Sequence, residues 1–187
     1  MLEQVSQRVR SSFYRDWQRD IFVGRQREME TLTTALEACL AGSCRIVMLA
    51  GEPGIGKTRT AQELASYADD RGAQVLWGWS HEAEGAPPYW PWIKPIRAYV
   101  ENIDSERLRS EMGPAAAIIA EIIPAIHARL PGLKTPPKLG PEQARFRLFD
   151  AITTFIKNAS QSQPLMLVLD DLHWADKSSL LMLQFLA

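Results

Sequence analysis

Apolar positions recur along this chain in a few periodic segments. After Arg25, Leu32, Ala35, Leu36, Cys39 and Leu40 repeat at three- and four-residue spacing. That predicts an amphipathic helix, closed by Gly42. Residues 45–50 (RIVMLA) form a short, nearly continuous apolar run, the pattern of a strand buried on both faces of a parallel sheet. A second helix is predicted over residues 58–71, with Ala61, Leu64, Ala65 and Ala68 inward and Gly72 as its stop. Residues 74–79 (QVLWGW) read as a second strand and residues 165–169 (LMLVL) as a third, buried one. An amphipathic helix over residues 143–158 places Phe146, Phe149, Ile152 and Ile156 near one face. Strands alternating with helices imply an α/β fold with a parallel sheet and right-handed crossovers.

The remainder is less regular. Residues 1–20 are polar and aperiodic, and read as a flexible N-terminal arm before a domain over residues 21–187. Residues 81–141 hold most of the prolines between short helical stretches, and residues 130–141 read as a loop. Residues 178–187 (SSLLMLQFLA) are helical in pattern but apolar nearly all round. Such an end suits the N-terminal part of a larger protein better than a finished terminus.

Composition narrows the class. The 187 residues are 46% hydrophobic and 23% charged, with a net charge of −1, the balance of a globular domain large enough to bury a core. Nothing global points to nucleic acid or an anionic membrane. Residues 115–126, the most apolar stretch, are interrupted by Glu121 and Pro124 and are too short to span a bilayer. No signal peptide is visible, and the expectation is a soluble, cytoplasmic protein. Cys39 and Cys44 form no CxxC pair and neighbour no ligand-spaced histidine, so they are expected to be buried, reduced side chains.

One octapeptide carries specific chemistry. Gly51, Glu52, Pro53, Gly54, Ile55, Gly56, Lys57 and Thr58 match G-x-x-x-x-G-K-[ST] in full, between a predicted strand and a predicted helix. Glycines let backbone N–H groups converge on phosphate oxygens, and the helix opening at Lys57 points its positive end at them. Lys57 supplies a mobile cation for the outer phosphates, and Thr58 offers a hydroxyl to Mg²⁺. Arg59, next on the helix, joins the candidate nucleotide-binding set. Asp170 and Asp171 follow the third predicted strand. A carboxylate at the C-terminal end of a parallel strand lies where such sheets bind ligands. Asp170 is the expected Mg²⁺ partner and Asp171 the candidate to orient the attacking water. The ligand expected from these residues is ATP with Mg²⁺.

Phe22-Val23-Gly24-Arg25, the GEPGIGKT loop and LVLDDLHWAD (residues 167–176) together resemble the AAA-type and STAND-class signalling ATPases. The likeness is greatest to modules of large LuxR-type transcriptional regulators. Similar modules accompany some adenylate cyclases and serine/threonine kinases. Pro87-Pro88-Tyr89-Trp90-Pro91-Trp92 also looks like that group's region after the second strand. The resemblance implies a P-loop NTPase fold, a three-layer α/β/α sandwich. It also implies that the chain is truncated after the Walker B strand and the following helix. A further strand would then be missing between the strands of the two motifs, leaving a gap in the sheet with exposed pairing edges.

By the same resemblance, Val23, Gly24 and Arg25 would lie near the adenine base; alternatively Phe22 and Val23 only staple the first helix. His173, Trp174 and Asp176 either sense the γ-phosphate or cap and pack the next helix, for which Asp176 makes a good N-cap. His81 and Glu82 either face the nucleotide or lie on the surface. The aromatic cluster at residues 87–92 is either a rigid loop packed on the sheet edge or a docking surface.

Several functions fit. The leading one is an ATP-binding, ATP-hydrolysing switch in a signalling or transcription-regulatory protein, with the missing C-terminal domains as partners and self-association through the ATPase module. A nucleotide-binding fragment without turnover and a DNA-acting ATPase of the replication-initiator kind are the alternatives. The last predicts a basic helix-turn-helix or winged helix, and this segment has no such nucleic-acid contact and no membrane partner.

Overall fold

The computed structural model describes residues 24–80 and 87–187. The expected arm, together with Phe22, Val23, His81 and Glu82, lies outside the described residues. Helix α1 is Gln26–Leu40 and α2 is Lys57–Asp70. Strand β1 is Gln74–Trp79. Then come α3 (Trp90–Asn102), α4 (Ser105–Met112), α5 (Ala116–Ile119), α6 (Ala125–Arg129) and the long α7 (Pro141–Ser162). Strand β2 (Leu165–Asp170) and α8 (Lys177–Leu186) complete the order.

Two of the three expected strands pair. β1 and β2 run parallel, in register from Gln74 opposite Leu165 to Trp79 opposite Asp170. The sheet among the described residues has these two strands. β2 is half-buried along its length rather than fully covered. Residues 45–50 do not join the sheet, contrary to the expectation of a strand buried on both faces. They have no regular secondary structure, and Val47 and Met48 are 51% and 73% exposed. An apolar run becomes a strand only where a neighbour takes up its backbone N–H and C=O groups, and among the described residues no ladder partner lies beside this one.

The core sits in the helices after β1. Trp92, Tyr99, Ile119, Ile123, Ile126, Ile152 and Phe155 are each almost completely buried, and burial of such a side chain contributes about 1.5–3 kcal/mol. The Tyr99 and Phe155 rings meet edge to face at 5.4 Å. One polar group is sealed within this layer. The Glu111 carboxylate accepts from the Tyr99 hydroxyl and from Arg107 Nε at 2.7 Å, and the Glu111 carbonyl accepts from Asn158 Nδ2 at 2.9 Å. Burial, with the hydrogen bond to Glu111, pushes the Tyr99 hydroxyl well above its ordinary pKa.

α3 approaches β1 unusually closely, for a local reason. Pro95 lies inside α3 and has no N–H to give to the Pro91 carbonyl one turn back. That carbonyl meets β1 at Gly78, where an added Cβ would lie 1.9 Å from the Pro91 oxygen. The Lys94 ammonium then lies 3.8 Å from the centroid of the Trp79 ring, and burial lowers its pKa.

Three smaller expectations change. Phe146 is 62% exposed and meets the Phe185 ring at 5.4 Å instead of entering the core. It lies nine positions before Phe155, two and a half turns at about 3.6 residues per turn, and so faces the other side of α7. Cys44 is exposed and Cys39 half-buried, so neither is a core side chain. The aromatic cluster is a loop only over residues 87–89, a turn that leads into the helix; Trp90, Pro91 and Trp92 form the helix's first turn, with Trp92 buried. Among the described residues, no helix is long and apolar enough to cross a membrane.

Candidate functional site

The octapeptide turns between the extended segment and α2. Gly54 and Gly56 take left-handed conformations, φ 76° and 92°, which a side chain would oppose. Lys57 arches back over the turn, donating from Nζ to the Gly51 and Glu52 carbonyls at 3.0 Å each. At the far end Thr60, itself buried, donates its hydroxyl to the Gly56 carbonyl at 3.0 Å. That bond ties the last loop glycine into the first turn of α2. Gly51, Glu52, Pro53, Gly54 and Ile55 are exposed, so the mouth of the loop faces solvent.

Arg25 reaches this loop directly. It is the N-cap of α1 in a left-handed conformation, φ 57°, and its guanidinium donates to the Ile55 carbonyl. Gly24, also left-handed, precedes it. At the other end of the two helices, the Tyr67 hydroxyl (2.9 Å) and Arg71 both donate to Glu37 Oε1. α1 and α2 therefore lie side by side in the same direction, clasped near both ends. Arg59 forms an ion pair with Glu63 one turn further along α2.

The acidic end of β2 closes on the loop. Thr58 Oγ1 donates to Asp170 Oδ2 at 3.0 Å, although the two residues are 112 positions apart. Asp170 Oδ1 accepts from the Asp171 amide at 3.0 Å, and the Asp170 carbonyl accepts from the Ser80 amide at 3.1 Å. Asp171 is exposed and left-handed, φ 55°, with His173 Nδ1 4.0 Å from its carboxylate. Aspartate tolerates that conformation better than most residues. The His173 and Trp174 rings lie against each other, centroids 5.0 Å apart, both exposed.

Asp176 caps α8, as its place before Lys177-Ser178-Ser179 suggests: Oδ1 accepts from the Ser179 amide at 3.0 Å. Its other oxygen accepts from the Tyr89 amide at 3.1 Å. Sequence reasoning missed that link, because nothing local connects positions 87 residues apart. Ser80 was missed too. Its hydroxyl is buried beside Asp170 without a partner among the described residues; the signal available was a serine ending the strand before a polar run.

The donors present suit a triphosphate and Mg²⁺. A glycine turn at a helix N-terminus, with an ammonium over its mouth, suits a polyanion. A hydroxyl and a carboxylate in contact offer the hard oxygens that Mg²⁺ takes.

Comparison with known proteins agrees at the level of the family. An uncharacterized protein of Rhizobium meliloti (strain 1021) is 21% identical over 170 residues, covering 84% of this chain and 16% of that protein. The chain thus spans a small part of that relative's length. No solved structure matches. The family model described as the AAA ATPase domain matches residues 21–187. The chain therefore belongs to the AAA ATPase domain family, a class whose business is nucleotide binding and hydrolysis.

Proposed function

We propose that this chain is a Mg²⁺-dependent ATP-binding module that acts as a nucleotide switch in a larger signalling or transcription-regulatory protein of the STAND or LuxR-type kind. The contact of Thr58 with Asp170 is the observation that carries the reading. It joins the phosphate-loop helix to the acidic strand end across 112 positions, and chance resemblance of either motif would not produce it.

In this reading Lys57 releases the Gly51 and Glu52 carbonyls and turns to the outer phosphates, where its charge offsets theirs. The loop amides from Gly54 to Thr58 bind phosphate oxygens, with Glu52, Pro53 and Ile55 shaping the turn. Arg25 holds the loop through Ile55 and with Gly24 borders the base, the part the family resemblance also gives to Val23; Arg59 lies at the edge of the site. Thr58 and Asp170 would hold Mg²⁺, which would supply charge neutralisation to the phosphates. Asp171 orients the attacking water. Binding energy spent differently on two arrangements of the module would shift their populations, which is all a switch requires.

A second reading, binding without turnover, has support from Asp171. Its carboxylate is exposed and has His173 for its near partner, at 4.0 Å, so little orders it for activating water. The test is calorimetry of Mg-ATP binding to the purified chain, with GTP as competitor and Lys57→Ala alongside. Saturable ATP binding that weakens by about 100-fold in Lys57→Ala, roughly 2.7 kcal/mol, is expected. Absence of binding by the folded wild-type chain would sink the proposal. Steady-state phosphate release then separates the switch from the passive binder.

A further inference from the structure

The stretch after Asp170 is held at both ends, and one of its anchors belongs to the helical layer. At its start, Asp170 is fixed by the ladder to β1 and by the Ser80 amide. Six residues later, Asp176 uses its two oxygens differently. Oδ1 caps α8 through the Ser179 amide, while Oδ2 accepts from the Tyr89 amide at the start of α3 and from the Ser179 hydroxyl. A second bond runs parallel to this one. Trp92 Nε1, buried, donates to the Ser179 carbonyl at 3.1 Å. Tyr89 sits in the left-handed region, φ 68°, a costly conformation for a bulky residue that persists only where its surroundings hold it. The start of α3 also presses on the C-terminal end of β1, through Pro91 against Gly78 and Lys94 over Trp79. The first turn of α3 thus touches the strand beside Asp170 and the far end of the acidic stretch at once.

We propose that Asp176 is a positioning residue for Mg²⁺-bound nucleotide: by tying Tyr89 to the start of α8, it makes the placement of Asp170 and Asp171 depend on the helical layer. The inference rests on the reading of Thr58 and Asp170 as the Mg²⁺ site. Its consequence is a mechanical route between the nucleotide and α3, the helix that leads into the core of the chain.

Asparagine at position 176 separates this role from simple capping. Asparagine caps helices as well as aspartate does, but a side-chain amide has one acceptor oxygen. Because the Ser179 and Tyr89 amides bond different oxygens of Asp176, and asparagine replaces one of them with a non-accepting NH₂, it keeps one of these two bonds and loses the other. The experiment measures ATP affinity of the full chain with Mg²⁺ and with EDTA, for wild type, Asp176→Asn and Asp176→Ala. Amide hydrogen exchange at Tyr89 is followed in each. Asparagine is expected to keep the local cap to Ser179 and give up Tyr89, so that Asp176→Asn behaves like Asp176→Ala at the nucleotide. Both lose about tenfold of the Mg²⁺-dependent tightening, the scale seen when a group supporting a metal ligand is removed. Affinity in EDTA is unchanged, and Tyr89 exchanges faster. The proposal is overturned if either variant speeds Tyr89 exchange yet keeps the full Mg²⁺ increment, or if Asp176→Asn keeps wild-type protection of Tyr89 yet loses the increment, since the link to Tyr89 would then not bear on the metal site. Should Asp176→Ala fail to fold, the asparagine variant decides. If wild type binds no ATP, the nucleotide reading has failed and the positioning role goes with it, while Tyr89 exchange still reports whether the link exists.

Discussion

The helical layer from α3 to α7 and the segment over residues 41–58 are built on opposite principles. The first buries Trp92, Tyr99, Ile119, Ile123, Ile126, Ile152 and Phe155, and none of the phosphate-loop or acidic residues comes from it. The second carries the loop, and residues 41–55 are all exposed, among them the apolar residues of the 45–50 run. Where side chains interlock, each position bears on stability. Where the chain is solvated, the residues are free to serve a ligand, and a few specific bonds hold them: Arg25 to Ile55, Thr60 to Gly56 and Thr58 to Asp170. The buried core and the candidate site are thus drawn from different stretches of the same chain.

Substitutions should separate the two regions. Phe155→Ala removes a ring from the middle of the layer and should cost about 3–5 kcal/mol, read by chemical denaturation. Met48→Ser in the exposed run should change stability by no more than about 0.5 kcal/mol in the same assay. A large loss there would mean that the exposed run is covered in solution, and the contrast would fail. Gly78→Ala sits where the helical layer presses on the sheet next to Asp170. Its Cβ would fall against the Pro91 carbonyl, backbone that cannot rotate away, and about 1–3 kcal/mol of destabilisation is expected. Because it pushes the start of α3 off β1, it should also weaken the Mg²⁺-dependent part of nucleotide binding, as Asp176→Asn does.

The smallest effect expected is a pH dependence at the clasp between α1 and α2. Hydrogen bonds from Tyr67 and then Arg71 hold the Glu37 carboxyl below its ordinary value of 4.5. A depressed folded pKa stabilises the folded form above the unfolded value and loses that contribution as pH falls through the folded one. Wild type should therefore melt slightly above Glu37→Gln at neutral pH. The gap should close as pH drops below 4.5 and shrink in high salt, because the pair is exposed. Melts that stay apart in acid would assign the difference to packing instead of charge.

Much was legible in residue order. The helix predicted over residues 58–71 appears as Lys57–Asp70, because alanine spacing and a stop glycine are local signals. Residues 74–79 form β1 at those limits, and the helix expected at 143–158 is found, longer, as Pro141–Ser162. The loop was readable because its chemistry needs glycine, lysine and threonine at fixed spacing. Phe146 was misread because its helical phase turns it away from Phe155, the run over residues 45–50 for a different reason. Hydrophobicity reports a tendency to be covered, and it says nothing of whether a covering surface exists.

Position along the chain picked out the candidates: the glycine turn, Lys57, Thr58 and the aspartates after an apolar run. Such identities follow from local backbone preference and side-chain chemistry, which adjacent residues are enough to specify. Only the folded chain decided that Thr58 meets Asp170, that Arg25 reaches back to the loop, and that Asp176 is shared between α8 and Tyr89. Those contacts join positions from 30 to 112 residues apart. They form when the packing of α3 on β1 and of α1 on α2 brings the segments together, and that packing depends on surfaces spread along the whole chain.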